Sequence, residues 1–217
     1  MSLLTIFAAA SLTTVFPHVA RAPRYQFAGS DQLAFQIAQG ARADVFAAAS
    51  PKQPQALYRQ GLCSKPRVFA TNRLVLIVPR SNPAHIHSVY DLRRRGVKLV
   101  VGARGVPVGD YTRKLLADLR LSSVSRQVVS YEDDVKLVVA KVALGEADAG
   151  IAYRTDVKPA RGKVLSIALP ARAQPVVKYE LCVVHGARHP GLAASFVRKV
   201  LGSRGRRVLR AAGFGLP

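Results

Sequence analysis

Two strand-to-helix corners in the first thirty residues constrain the fold of this chain more than any other feature. An apolar run over residues 4–10 leads to Ser11, and a second over residues 25–29 leads to Ser30. Each predicts a β-strand followed at once by a helix that begins at a serine. The serine hydroxyl and the first free backbone N–H groups of such a helix attract an anion. One serine alone is better explained as an ordinary N-cap, but two such corners together indicate an oxyanion site.

Strand-like and helical segments alternate along the whole chain, which predicts the α/β class with mixed, mostly parallel sheets flanked by helices. Two apolar strands, Leu74–Val78 and Leu181–Val184, flank the middle of the sequence. We interpret them as the two crossings between lobes. This predicts a two-lobed fold with a ligand cleft between the lobes. Residues 1–78 and 182–217 form lobe I, and residues 79–181 form lobe II.

The chain is strongly basic, with 33 Lys and Arg against 12 Asp and Glu and a formal charge of +21. Such a charge attracts anions, whether small ligands, envelope polymers or nucleic acid. The basic residues are spread along the chain without interleaved aromatic residues or a recognisable nucleic-acid module. The sequence therefore predicts no nucleic-acid partner.

The residues that usually carry chemistry form no recognisable catalytic or metal-binding pattern. Cys63 and Cys182 lie far apart and match no metal-ligand spacing; two buried thiols are favoured, with a structural disulfide as the alternative. His85 and His87 form an isolated H-x-H pair, which is weak evidence for a metal. No serine-elbow or paired-carboxylate motif accompanies the histidines. We expect no enzyme activity, no catalytic residue, no bare metal cation and no cofactor.

Several segments, taken in order, resemble one family. They are FAAASL at 7–12, FAGS at 27–30, GARADVFAAAS at 40–50, NRLVLIVPRSNP at 72–83, VPVGDYTR at 106–113, DVKLVVAKVALGEADAGIAYRTD at 134–156 and GF near 213. Their joint order and spacing resemble the molybdate- and tungstate-binding proteins of bacterial ABC transporters, within the periplasmic binding protein class.

The resemblance implies a tetrahedral dianion held by neutral hydrogen-bond donors. Matched motif by motif, the ligand-binding residues are Ser11, Ser30, Val108, Val135 and Tyr153. Hydroxyl groups would come from the two serines and the tyrosine, and backbone N–H groups from the serines and valines. The resemblance also implies a monomer, a membrane permease as partner, and a periplasmic or cell-surface location. The signal sequence of such a protein is absent from these residues.

A pocket of donors alone discriminates among oxyanions on physical grounds. A fully ionised oxyanion accepts hydrogen bonds on every oxygen, whereas phosphate at neutral pH keeps a proton that such a pocket leaves unpaired. Sulfate also accepts hydrogen bonds on every oxygen, so the pocket must exclude it by its smaller size. Molybdate and tungstate are nearly equal in size, so the sequence does not separate them. Two alternatives stay open, another tetrahedral oxyanion (sulfate or phosphate) and a ligand-sensing domain of a regulator.

The chain departs from the family pattern at two positions near the predicted site. Pro17 falls where the first helix should run, so we expect that helix to be short. Asp31 follows Ser30 directly, where its charge suits the helix dipole but would repel a dianion if it faced the ligand.

Overall fold

The computed structural model describes residues 4–217, which form two sheets covered by helices. Within these described residues the strands are β1 (Thr5–Ala9), β2 (Arg24–Ala28), β3 (Val45–Ala48), β4 (Arg67–Asn72), β5 (Leu74–Pro79), β6 (Leu99–Gly102), β7 (Val128–Glu132), β8 (Ala149–Tyr153), β9 (Val164–Ile167) and β10 (Val177–Val183). The α-helices in the same part of the chain are α1 (Phe16–Val19), α2 (Ser30–Ala38), α3 (Lys52–Arg59), α4 (Pro107–Asp118), α5 (Val135–Ala143), α6 (Arg154–Val157), α7 (Pro190–Leu201) and α8 (Ser203–Ala211).

The chain divides into two compact units, the first made from both of its ends. The first unit comprises residues 1–72 and 177–217, and the second comprises residues 73–176. The predicted boundaries placed Leu74–Val78 in the first lobe, but β5 pairs with β8 and β9 and lies in the second unit. In the same way β10 pairs with β3 and β4 and belongs to the first unit. These strands belong to the sheets on either side of the chain crossings; they are not the crossings themselves.

The sheet of the first unit has the strand order β2-β1-β3-β10-β4. The strands β2 and β3 run parallel to β1, whereas β10 is antiparallel to both of its neighbours. Strand β3 is buried along its whole length because helices cover the sheet. The helix α1 has only four residues and contains Pro17, as we predicted.

The sheet of the second unit has the strand order β7-β6-β8-β5-β9. The strands β7 and β8 run parallel to β6, and β5 is antiparallel to both β8 and β9. The α/β class with mixed sheets flanked by helices is confirmed. Parallel pairs make up half of the pairing in each sheet, fewer than predicted, because β5 and β10 both run against their neighbours. None of the helices within residues 4–217 is long and apolar enough to cross a membrane.

Candidate functional site

The first unit brings the two predicted serines to one edge of its sheet. The strands β1 and β2 are parallel and their last residues, Ala9 and Ala28, lie opposite each other. Ser11 and Ser30 each follow two residues later, and both are buried. Because parallel strands end at the same edge, the two serines lie at neighbouring corners. The corners predicted from the sequence are thus adjacent in space.

The hydroxyl of Ser30 is oriented by a bond that leaves its proton available. The backbone N–H of Ala49, just after β3, donates to the Ser30 oxygen over 3.1 Å. A hydroxyl group that accepts such a bond still has its own O–H to donate. Ser30 is the first residue of α2 and its side chain does not cap its own helix. The arrangement is suited to donating to an anion.

The hydroxyl of Ser11 belongs to a buried chain of polar groups that the sequence analysis did not find. Its oxygen lies 2.9 Å from the hydroxyl of Tyr179 on β10. The side-chain amide of Asn72 donates to the same tyrosine oxygen over 3.4 Å. The bond from Asn72 favours donation by Tyr179 to Ser11, since hydrogen bonds in a chain polarise one another. When Tyr179 donates, Ser11 has its own proton to offer, as Ser30 does.

A repeated pentapeptide is a sequence signal for this edge that the analysis above did not use. FAAAS occurs at residues 7–11 and again at 46–50. The two copies lie side by side in β1 and β3, with Phe7 opposite Phe46. The serine of the second copy, Ser50, accepts a bond from the N–H of Lys52 at the start of α3. The repeat therefore marks two parallel strands that end together at the same edge.

The second unit gathers the three remaining predicted residues at one edge of its own sheet. The strands β7 and β8 flank β6 in parallel. Val108 lies in the first turn of α4 after β6, Val135 opens α5 after β7, and Tyr153 is the last residue of β8. All three are buried. The carboxyl ends of these strands meet at one edge, the usual position for ligands in α/β sheets.

Two helix N-termini supply backbone donors at this edge. Pro107 has no N–H, so Val108 carries the first N–H group of α4. At α5 the carboxylate of Asp134 accepts from the N–H groups of Lys136 and Leu137, at 2.6 and 3.1 Å. That cap does not use the N–H of Val135, one of the first four that lack a partner within the helix. Both valines therefore present a backbone N–H group at the start of a helix.

A buried ion pair lies beneath this edge, and the sequence analysis missed it. The carboxylate of Asp156 in α6 is 1% exposed and lies 2.9 Å from the ammonium of Lys136 in α5. Burial raises the pKa of Asp156 to about 6, while Lys136 opposes the rise. The pair joins the first turn of α5, beside Val135, to the helix that follows Tyr153. It ties together two of the three elements at the edge.

This pair predicts a pH-dependent stability term. The pKa of Asp156 is raised on folding, so the protonated carboxyl group stabilises the folded state relative to the unfolded one. This stabilisation is fully present below the unfolded pKa of about 4. That contribution is lost as the pH rises through about 6. We expect Asp156→Asn to abolish this pH dependence. The difference in unfolding free energy between wild type and variant should therefore change by about 3 kcal/mol between pH 4 and pH 7. Urea unfolding at stepped pH measures this.

A surface pair provides the matched control for that experiment. Asp118 forms an exposed ion pair with Lys114 in α4, at 2.9 Å. Because exposed pairs contribute little, Asp118→Asn is expected to change the free energy of unfolding by less than about 1 kcal/mol. A difference between wild type and Asp156→Asn that does not vary with pH would contradict the assignment.

Two other sequence features have a definite place in the structure. Asp31 lies in the first turn of α2, half-buried, so its fit to the helix dipole agrees with expectation; that it faces a ligand stays a prediction. His85 and His87 are exposed. Within residues 4–217 no cluster of three or more His, Cys, Asp or Glu side chains could hold a metal ion.

Comparison with known proteins gives a consistent assignment. Residues 4–215 match the family model described as bacterial extracellular solute-binding protein. The molybdate-binding protein ModA of Mycobacterium tuberculosis is 36% identical over 99% of this chain and 85% of its own length. The molybdate-binding protein ModA of Haemophilus influenzae is 30% identical over 97% of this chain and 89% of its own.

Solved structures show the same fold. The periplasmic molybdate-binding protein of Azotobacter vinelandii superposes with a TM-score of 0.87 at 20% identity, covering 99% of both chains. The sulfate-binding protein SubI of Mycobacterium tuberculosis gives a TM-score of 0.83 at 17% identity, covering 99% of this chain and 86% of its own. The fold is therefore shared by proteins whose names give different oxyanions. With the family model matching almost the entire sequence, this chain belongs to the bacterial extracellular solute-binding proteins.

Proposed function

We propose that this chain captures molybdate or tungstate outside the cytoplasmic membrane and delivers the oxyanion to the permease of an ABC transporter. It acts as a monomer and without catalysis. Its ligand is bound by Ser11 and Ser30 of the first unit and by Val108, Val135 and Tyr153 of the second. The names of the relatives that are 30% identical or more support molybdate over other solutes.

The main support for this proposal is that the groups described at the two sheet edges are hydrogen-bond donors. At the first edge, two buried serine hydroxyls have oxygens engaged with neighbouring groups. At the second, the N–H groups of Val108 and Val135 open two helices. All of these groups donate, and each helix N-terminus adds partial positive charge. A dianion that accepts on every oxygen satisfies them all.

Three carboxylates of the second unit are engaged in helix caps and ion pairs. Asp134 is occupied with the N–H groups of Lys136 and Leu137. Asp156 is paired with Lys136. Asp110, in the first turn of α4, accepts from the N–H of Gly105 and pairs with Arg113 at 3.0 Å. Their charge is used in caps and ion pairs, which supports a site for a full dianion over one for a protonated anion.

The proposal is tested by isothermal titration calorimetry with molybdate, tungstate, sulfate and phosphate at one ionic strength. We expect molybdate and tungstate to bind with similar affinity because they have nearly the same size and charge. Sulfate is expected to bind at least about 100-fold more weakly, which corresponds to about 2.7 kcal/mol. Phosphate is expected to be weaker still, because its proton meets no acceptor.

Other outcomes contradict the proposal in distinguishable ways. Preferential binding of sulfate would make this a sulfate-binding protein of the same fold. Tight phosphate binding would indicate that a carboxylate, with Asp31 the first candidate, faces the ligand and accepts its proton. Binding of molybdate without stimulation of uptake through a reconstituted permease and ATPase would favour a ligand-sensing role.

A further inference from the structure

The two cysteines of the chain lie together in the core of the first unit. Cys63 and Cys182 are both buried within one hydrophobic cluster that also contains Phe46 and Val184. In the structure both are free thiols, and the Cys63 thiol donates to the carbonyl oxygen of Pro54 over 3.7 Å. Two thiols that are distant in sequence have thus been brought into one buried cluster by the fold.

Backbone pairing explains why the thiols meet. Cys63 forms an antiparallel bridge with Val184. The flanking hydrogen bonds, Ser64 N–H to Val183 and His185 N–H to Leu62, are both 2.8 Å. Residues directly opposite in such a pattern place their side chains close together on one face. Cys182 precedes Val184 by two residues and therefore points to that same face.

We propose that Cys63 and Cys182 form an intramolecular disulfide in the exported protein. Members of the family to which the chain belongs are described as extracellular, and disulfides form and persist outside the reducing cytosol. Cys63 lies just beyond α3, at an isolated bridge and in no regular strand, so a small local shift can bring the sulfurs to bonding distance. The bridge would close a loop over residues 64–181 that contains the whole second unit.

The bridge forms by thiol–disulfide exchange with an oxidant, either oxidised glutathione or a thiol oxidase. The Cys63 thiolate attacks one sulfur of the oxidant to give a mixed disulfide, and Cys182 then displaces it. The two cysteines lose two protons and two electrons, and the oxidant leaves as two thiols. Because both sulfurs are buried, this reaction belongs to folding and precedes closure of the core.

The test is to refold the denatured, reduced chain with oxidised and reduced glutathione, and to alkylate it under denaturing conditions. We expect no alkylated cysteine, an intact mass lower by two hydrogens, and a cross-linked peptide pair containing Cys63 and Cys182. Adding the alkylating agent before the oxidant is the control and should label both. Two labelled thiols after oxidative refolding, or a disulfide between chains, would overturn the proposal.

Thermal unfolding tests whether the bridge stabilises the fold. We expect the oxidised protein to melt about 5–10 °C above the reduced protein, since the closed loop is long. Cys63→Ala, Cys182→Ala and the double variant should each melt at the same temperature with and without reductant. Equal melting temperatures for oxidised and reduced wild type would rule out a stabilising bridge.

Discussion

Replacing Ser30 by alanine is expected to weaken molybdate binding by about 10- to 100-fold, the range for losing one hydrogen bond to a charged group. The hydroxyl group removed is the one that accepts from Ala49 and keeps its proton for an acceptor. The dissociation constant from titration calorimetry measures the effect. Because the Ala49 N–H loses its acceptor in a buried place, we also expect about 1 kcal/mol of lost stability.

The comparison with two other serines separates binding from packing. Ser11→Ala should produce a similar loss of affinity, since Ser11 lies at the neighbouring corner and contacts Tyr179. Ser123→Ala changes an exposed residue of a 3-10 turn and should leave both affinity and stability unchanged. If Ser30→Ala bound molybdate as tightly as wild type does, Ser30 would be only a structural N-terminal residue of α2.

Gly109→Ala is expected to lower the free energy of unfolding by about 3 kcal/mol, at the upper end of overpacking effects. A Cβ atom at Gly109 would collide with the carbonyl oxygens of Gly102 and Ala103. The guanidinium of Arg113 donates to both of these oxygens, at 3.4 and 2.8 Å, which holds the segment in place. The first turn of α4 must therefore move, and the N–H of Val108 moves with it. Urea unfolding and calorimetry with molybdate should both register the change.

A second glycine provides a matched control for this substitution. Gly191 lies in the first turn of α7, directly after Pro190, but a Cβ there meets no atom within 4 Å. Gly191→Ala is expected to be neutral or to stabilise the protein by up to about 1 kcal/mol, because alanine has the higher helix propensity. Equal effects of the two substitutions would show that the close approach at Gly109 does not constrain α4.

Local patterns predicted much of the fold because many elements follow from near neighbours in the sequence. The predicted strand Leu74–Val78 lies within β5. Pro17 correctly indicated a short first helix. The strand β4 was not predicted, and only Arg73 separates it from β5. The strands β4 and β5 belong to different units, and no local sequence pattern indicates this division.

Local patterns of strand ends and helix starts indicated the two serine corners, whereas Val108, Val135 and Tyr153 were named from the family resemblance. The supporting residues were not predicted because their contacts join distant parts of the chain. Tyr179 meets Ser11 only because β10 takes its place in a sheet that begins with β1 and β2. Asp156 meets Lys136 only because α6 turns back beside α5. Such contacts depend on strand order and register, which a single sequence does not specify.

The pairing of β4 with β10 gives the chain the topology of a β-hairpin whose turn has been replaced by a complete folded unit. Asn72 lies directly opposite Val177, where two residues would suffice to join the strands. The inserted unit holds its own ends, since the amide of Gln174 accepts from the N–H of Leu74 at 3.1 Å and donates to its carbonyl at 2.7 Å. The entropic cost of closing a loop grows by only about 0.6 kcal/mol for each doubling of loop length. The segment between Asn72 and Val177 can therefore be exchanged as one piece among relatives, which would replace Val108, Val135 and Tyr153 while leaving Ser11 and Ser30 in place.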